Sequence, residues 1–161
     1  MEPREEIRFV ADKMLGRLVR WLRLIGKDVT YGPHLSGSGL IRAARIESRT
    51  ILTRDRRIRK TRNPPPYLFI ESDHFRKQLK QVIETFSLDP FANIFNRCVQ
   101  CNSLLESIPK EEVKENVPAY VFATQEKFAF CRECRQIYWA ATHLEKMLEE
   151  LRAMGFNSPG K

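Results

Sequence analysis

The sequence has no long hydrophobic run, and this absence limits the kinds of protein it can encode. No apolar stretch approaches the roughly 18 residues that a membrane-spanning helix requires. Residues 1–6 (MEPREE) are rich in charge, and 30% of the 161 residues are charged. We therefore expect a protein without membrane association and with a cytoplasmic location.

The chain also lacks the short motifs that identify several enzyme classes. It contains no GxSxG, GxxxxGK[ST] or GxGxxG sequence, so serine hydrolase, P-loop and dinucleotide-binding interpretations have no support. Internal repeats and low-complexity tracts are absent as well. The length fits one core of about 90 residues followed by a smaller unit, within the usual size of domains.

Cysteine is scarce, but its arrangement is informative. The chain has four cysteines in two CxxC pairs, Cys98 with Cys101 and Cys131 with Cys134. Two intervening residues let both thiolates of a pair face one tetrahedral Zn²⁺, and four sulfurs leave no coordination position for substrate. The pattern predicts a structural zinc site. The alternatives are two disulfides or a redox CxxC pair, which need an oxidising compartment or a thioredoxin-like context.

Positive charge is concentrated at the amino-terminal end. Residues 1–62 carry 16 Lys or Arg and 7 Asp or Glu, whereas the rest of the chain carries 12 and 13. A basic surface of this kind is typical of nucleic-acid binding, and an ordinary solvated surface is the alternative.

Strand-like and helix-like patterns alternate along residues 7–86. Period-2 and β-prone runs predict strands at 7–11, 28–32, 50–53 and 67–70. Apolar residues at helical spacing predict helices at 13–25, 40–48 and 75–86. This alternation indicates an α/β fold with a parallel sheet flanked by helices. We predict a first domain over residues 1–92.

The remaining residues, 93–161, are predicted to form a zinc ribbon with a carboxy-terminal helix. Short strands are expected at 120–122, 128–130 and 137–139, around the two CxxC pairs, and a closing helix at 143–151.

Acidic residues follow several of the predicted strands. Asp12 ends the first, Asp55 follows the third, and Glu71 and Asp73 follow the fourth. Ligands of open parallel sheets bind beyond the carboxyl ends of the strands, where carboxylates suit Mg²⁺ or Mn²⁺. For each aspartate taken alone, the alternative is a helix N-cap. Arginines crowd around Asp55, Arg54 and Arg56 among them, and they suit phosphate contacts as well as a solvated turn.

Several longer motifs run in one order along almost the whole chain. They are FVADKMLGRL at 9–18, RWLR at 20–23, LTRD at 52–55, QL at 78–79, RC at 97–98, CN at 101–102, VP at 117–118, YW at 138–139 and TH at 142–143. In this order they closely resemble the Mut-seven-C RNase family, which consists of PIN-like domains with a carboxy-terminal zinc ribbon. The resemblance implies that Asp12 and Asp55 are acidic metal ligands, with Asp73 a weaker match.

We therefore expect a PIN-like ribonuclease dependent on Mg²⁺ or Mn²⁺. Asp12, Asp55 and Asp73 are its candidate catalytic residues, and the candidate contacts to RNA are Arg17, Arg20, Arg54 and Arg56. The family usually has acidic residues leading into the second helix, where this chain has Ser-Gly-Ser-Gly at 36–39. That departure would weaken a second metal position. It favours the first rival, a non-catalytic RNA-binding protein; the second rival is a protein-interaction adaptor that uses the ribbon.

Overall fold

Four parallel strands form a central sheet in the order β2-β1-β3-β4. The computed structural model describes residues 5–140 and 142–157, with residues 142 and 143 described by their backbone alone. The strands are β1 (Phe9–Ala11), β2 (Val29–Thr30), β3 (Thr50–Thr53) and β4 (Tyr67–Phe69). Each is parallel to its neighbours, so the predicted α/β fold with a parallel sheet is confirmed.

Helices alternate with these strands and cover both faces of the sheet. They are α1 (Gly16–Leu24), α2 (Gly37–Glu47) and α3 (Phe75–Thr85). Short 3-10 turns precede α1 (Lys13–Leu15) and follow β3 (Arg56–Lys60). No helix of the described residues is long and apolar enough to cross a membrane.

The alternation of side chains along the strands produces two cores. Phe9 and Leu52 face one side, where they pack with α1 and α3, whereas Val10 and Ile51 face the other side and pack with α2. All four side chains are fully buried. A sheet covered on both faces explains why its strands read as continuous apolar runs.

A second, antiparallel sheet forms the ribbon. Its strands β5 (Glu106–Ile108), β6 (Phe128–Phe130) and β7 (Ile137–Trp139) lie in sequence order. The strands predicted at 128–130 and 137–139 are confirmed, whereas β5 was not anticipated. Two further helices, α4 (Ala119–Thr124) and α5 (Thr142–Ala153), complete the fold.

The strand predicted at 120–122 is wrong, because this segment lies within α4. The Pro118 carbonyl accepts hydrogen bonds from the amides of Val121 and Phe122, both 3.0 Å long, and so closes the first helical turn. Val121 packs against Phe128 in the ribbon core while Tyr120 stays 72% exposed. Three β-prone residues are too few to distinguish a strand from one helical turn.

The closing helix α5 packs against the first domain, although it follows the ribbon strands in the sequence and was predicted to belong with them. Leu151 is fully buried in the core that contains Phe9 and Leu79. Arg76 of α3 forms a double hydrogen bond with Glu150, at 3.0 Å for both N–O pairs. The apolar face of α5 therefore completes the core beneath α1 and α3. The boundary between residues 92 and 93 stays a prediction.

A buried arginine joins the sheet to the ribbon. Arg23 of α1 is 5% exposed; its guanidinium donates to the Val29 carbonyl at 2.8 and 3.1 Å and to the carbonyls of Val99 and Gln100 at 3.0 and 3.1 Å. Burial lowers the pKa of this guanidinium, against the opposing effect of the nearby thiols of Cys101 and Cys98. Charged side chains of an amphipathic helix usually face solvent, but the ribbon covers the position of Arg23.

A polar network beside Arg23 strengthens the same junction. Asp28 Oδ1 accepts hydrogen bonds from Arg49 and Asn102, both at 2.7 Å. The Asn102 side chain in turn accepts from the Val29 amide at 3.0 Å. Burial opposes ionisation of Asp28, but the hydrogen bonds from Arg49 and Asn102 lower its pKa below the usual range.

We predict that Arg23→Met lowers the free energy of unfolding by about 3 kcal/mol, because the buried Val29 carbonyl and the part-buried carbonyls of Val99 and Gln100 lose their donor. Arg20→Met is the matched control: it removes the same charge from an exposed position of the same helix, and its effect should stay within about 0.5 kcal/mol. Urea denaturation of both variants checks this. Equal losses would contradict the role given to Arg23.

Candidate functional site

The four cysteine sulfurs meet at one point between the two CxxC turns. Their Sγ atoms all lie within 4.8 Å of one another, and Cys101 Sγ is 3.4 Å from Cys131 Sγ. In a tetrahedral site with Zn–S bonds of about 2.3 Å, neighbouring sulfurs are about 3.8 Å apart. All four cysteines are free rather than paired in disulfides. This cluster can hold a metal ion.

Both CxxC turns have the same backbone geometry. The Cys98 carbonyl accepts from the Asn102 amide at 2.9 Å, and the Cys131 carbonyl accepts from the Arg135 amide at 2.8 Å. The residue after each pair is left-handed, with φ of 73° at Asn102 and 58° at Arg135. Asparagine tolerates this conformation better than most residues. The local sequence therefore presents the paired sulfurs on one side of each turn.

The surroundings of the cluster modify the ionisation of its thiols. Burial disfavours the Cys101 thiolate, but hydrogen bonds with Ser103, Cys134 and Cys131 together outweigh it and lower the pKa of Cys101 to about 6. Tyr138 Oη lies 3.0 Å from Cys98 Sγ, and burial together with this contact raises the pKa of Tyr138. Tyr138 thus stays protonated and can donate to a Cys98 thiolate, as groups around metal ligands commonly do.

A second candidate site lies at the carboxyl edge of the parallel sheet. Asp12, directly after β1, is 1% exposed, and its Oδ2 accepts a hydrogen bond of 2.9 Å from the Thr53 hydroxyl. The same hydroxyl oxygen accepts from the Asp55 amide at 3.0 Å. Asp12 and Asp55 are thereby linked through Thr53. This link is possible because β1 and β3 are neighbours in the sheet. Both aspartates line a cavity of about 240 Å³.

The two carboxylates of this cavity are satisfied to different degrees. Asp12 Oδ1 is buried and has no hydrogen-bond partner among the described residues. Asp55, in contrast, accepts from the Arg57 amide at 2.9 Å and from the Arg57 guanidinium at 2.6 to 3.0 Å. These bonds hold the pKa of Asp55 below its usual value, with the side chain of Arg57 as the largest cause. The cavity therefore contains one unpaired carboxylate oxygen and one ion pair.

Asp73 lies in a different cavity from Asp12 and Asp55. That cavity, of about 340 Å³, is also lined by Arg17 and Phe75. Within the part of the chain that the structure describes, the cysteine cluster is the one group of three or more ligand-type side chains close enough to share an ion. The structure therefore brings Asp12 and Asp55 together and does not add Asp73 as a third ligand.

The four arginines selected from the sequence occupy two regions. Arg17 lies over the Phe75 ring, 4.1 Å from its centroid, and lines with Arg20 a cavity of about 470 Å³ beside α5. Arg54 donates to the Ile70 carbonyl at 3.4 Å, and Arg56 is exposed at the start of the turn after β3. One pair thus belongs to α1 and the other to the segment that carries Asp55.

Sequence reasoning missed two side chains of the candidate site, Thr53 and Arg57. The signal for Thr53 was present in the LTRD motif, where a hydroxyl ends β3 two residues before Asp55. Arg57 was counted among the basic residues around Asp55, but nothing in the sequence distinguished it from Arg56 as the partner of that carboxylate.

Comparison with known proteins identifies the family of this chain. The sequence model of the Mut7-C RNAse domain family matches residues 7–151, which include both sheets, the cysteine cluster and the Asp12 and Asp55 cavity. No curated protein and no solved structure matches the chain.

We predict that Arg57→Ala returns the pKa of Asp55 toward its ordinary value of 3.8, because the variant removes the guanidinium that stabilises the carboxylate. A depressed pKa stabilises the fold above the ordinary value, and this contribution disappears as pH falls through the lowered pKa. In the variant this contribution should be smaller, so stability should fall less as pH drops from the ordinary value through the lowered pKa. Carboxyl ¹³C NMR titration measures the pKa, and Arg56→Ala, which removes no donor to Asp55, is the control. Identical curves for wild type and Arg57→Ala would contradict the ion pair.

Proposed function

Since this chain belongs to the Mut7-C RNAse domain family, we propose that it is a metal-dependent ribonuclease that hydrolyses phosphodiester bonds of RNA. The observation that carries the proposal is the Asp12 carboxylate, which is buried at the edge of an open cavity and has one oxygen without a hydrogen-bond partner among residues 5–140 and 142–157. An unpaired buried carboxylate oxygen is costly unless a cation binds it.

The donor set of this cavity fits Mg²⁺ or Mn²⁺. These ions prefer carboxylate oxygens, and one or two carboxylates with substrate phosphate are a common arrangement. Asp12 and Asp55 would hold the ion, which when bound activates water and neutralises the charge that develops on a scissile phosphate. Thr53 fixes the Asp12 carboxylate by its 2.9 Å hydrogen bond. Asp55 already forms an ion pair with the guanidinium of Arg57.

The other selected residues act around this centre. Asp73, in its separate cavity, would act at a distance through water rather than as a direct ligand. Arg54 and Arg56 would contact RNA phosphates beside Asp55. Arg17 and Arg20, which belong to α1, would contact another part of the RNA. Their separation suits a single strand of RNA that passes over the edge of the sheet. Net charge of +8 favours such a polyanion.

A non-catalytic RNA-binding protein is the second candidate function. It is favoured by the first turn of α2, which contains no acidic residue, so one carboxylate expected from the family is absent. The basic surface would serve RNA binding equally well in both cases. Cleavage that depends on Asp12 distinguishes the two functions.

We predict that Asp12→Asn reduces RNA cleavage in Mn²⁺ by about a hundredfold or more, because it removes a ligand charge worth a few kcal/mol in the transition state. The substitution preserves volume, so the melting temperature should change little and RNA binding should persist. Asp73→Asn, which removes a carboxylate that is not a direct ligand, should reduce cleavage much less than Asp12→Asn does. Cleavage that survives Asp12→Asn, or that EDTA does not inhibit, would reject the enzyme and leave RNA binding as the function.

The metal of the cysteine cluster is proposed to be structural Zn²⁺, within a ribbon that begins near residue 93. Four sulfur ligands and no water position favour zinc over harder ions. Free cysteines are also consistent with a reducing compartment, which supports the proposed cytoplasmic location.

We predict about one zinc per chain, with Zn–S distances of about 2.3 Å by X-ray absorption. Metal analysis of protein purified without chelator checks the content. Cys134→Ser should lose most of the zinc, whereas Ser103→Ala keeps all four sulfurs and should retain it. A chain that folds fully without metal, or zinc content unchanged by Cys134→Ser, would contradict a four-sulfur zinc site.

A further inference from the structure

The amino-terminal end of α2 has backbone donors that no hydrogen bond within the helix satisfies. The amides of Gly39 and Leu40 return to the Ser36 carbonyl at 3.1 and 3.4 Å. The amides of Gly37 and Ser38 precede them and have no acceptor within the helix, as in any first helical turn. The Ser36 side chain makes no capping hydrogen bond, and no acidic residue lies in the first turn. The partial positive charge of this 11-residue helix is therefore uncompensated at this end.

This end of α2 faces the same cavity as the two aspartates. Gly37 and Ser38 line the cavity together with Asp12, Thr53 and Asp55. Gly37 has a φ of +53°, and a Cβ atom added there would meet nothing within 4 Å. The space beside the Cα atom of Gly37 is therefore open. Gly39 has a different role, since its Cβ would lie 2.8 Å from the His34 carbonyl oxygen.

A second observation in the cavity indicates a charged ligand. Asp12 is 1% exposed, and its Oδ1 has no partner among the described residues. This oxygen needs a cation or a donor, whereas the amides of α2 need an acceptor. A divalent cation with a phosphate bound to it satisfies both, because the cation binds the carboxylates and the phosphate oxygens accept from the amides.

We propose that the amino-terminal turn of α2 binds a phosphate group of the RNA strand through the amides of Gly37 and Ser38. The proposal rests on the ribonuclease function above and identifies the phosphate subsite of the same cavity. It also explains the Ser-Gly-Ser-Gly departure at residues 36–39. An acidic side chain at this position would repel the phosphate, whereas small neutral residues let the strand approach the helix end.

The direct test observes the two amides. We would record ¹⁵N–¹H NMR spectra of the full chain in Mg²⁺ while adding a ten-nucleotide 2′-O-methyl RNA that is checked by gel to be intact. The Gly37 and Ser38 amide signals should shift on RNA addition. A peptide nucleic acid of the same base sequence, which lacks phosphates, should not shift them. Unmoved amides at saturating RNA, or equal shifts with the phosphate-free strand, would overturn the proposal.

Inorganic phosphate distinguishes the source of the phosphate group. It should shift the same two signals more weakly than RNA and should be displaced by RNA. Shifts with inorganic phosphate alone and none with RNA would show a site for free phosphate, and would overturn the assignment to the strand.

The variant Ser38→Glu tests the electrostatic part. A glutamate at a helix amino terminus stabilises the helix, so the melting temperature should not fall, while RNA affinity should fall by about fivefold or more. Ala119→Glu places the same charge at the exposed start of α4 and should change RNA affinity by less than about twofold. If Ser38→Glu instead raises both cleavage and the number of Mn²⁺ ions bound, the position is a lost metal ligand and the proposal is wrong.

Failure of this proposal and failure of the ribonuclease function give different results. Amide shifts with RNA in a protein that does not cleave would retain the phosphate subsite and reject the enzyme. Cleavage dependent on Asp12, without amide shifts and with RNA affinity unchanged in Ser38→Glu, would retain the enzyme and reject the subsite.

Discussion

The parallel pairing of β1 with β3 is the constraint on which the candidate site depends. The ladder continues past the end of β1, since the Asp12 amide donates to the Leu52 carbonyl at 2.9 Å. This bond fixes the backbone of Asp12 beside Thr53, whose hydroxyl then bonds the Asp12 carboxylate and the Asp55 amide. Both faces of the sheet are covered by helices, so the strands cannot slip by one residue without moving apolar side chains out of the two cores. The register therefore determines that the two carboxylates meet.

Electrostatic complementarity within the cavity follows from that register. Asp12 and Asp55 supply negative charge, Arg57 supplies an exposed cation, and the start of α2 supplies partial positive charge. A binding site for a metal ion and a phosphate needs negative and positive charge within a few ångströms of each other. The Arg57 pair also satisfies Asp55 in the absence of other cations, because a lone carboxylate at this edge would repel its neighbour.

The junction between sheet and ribbon couples the cysteine cluster to the first domain. Arg23 reaches from α1 to the carbonyls between Cys98 and Cys101, and Asn102, directly after that pair, bonds both Asp28 and the Val29 amide. The conformation of the first CxxC turn therefore determines the contacts made at the β2 edge. Helix α5 returns from the ribbon and places Leu151 in the core of the first domain. The two units share stabilising contacts even though each has its own sheet.

The sequence by itself determined the local elements and the composition of both candidate sites. The strand at 50–53 and the ribbon strands at 128–130 and 137–139 were predicted at their observed bounds. A short β-prone run is a local signal, because it depends only on neighbouring residues. Cysteine spacing likewise predicted the cluster, since a CxxC turn forms locally. Only the tertiary structure decided that Arg23 is buried, that Arg57 rather than Arg56 pairs with Asp55, and that Asp73 lies in another cavity. These outcomes depend on which distant segments cover each side chain, and sequence periodicity carries no information about such contacts.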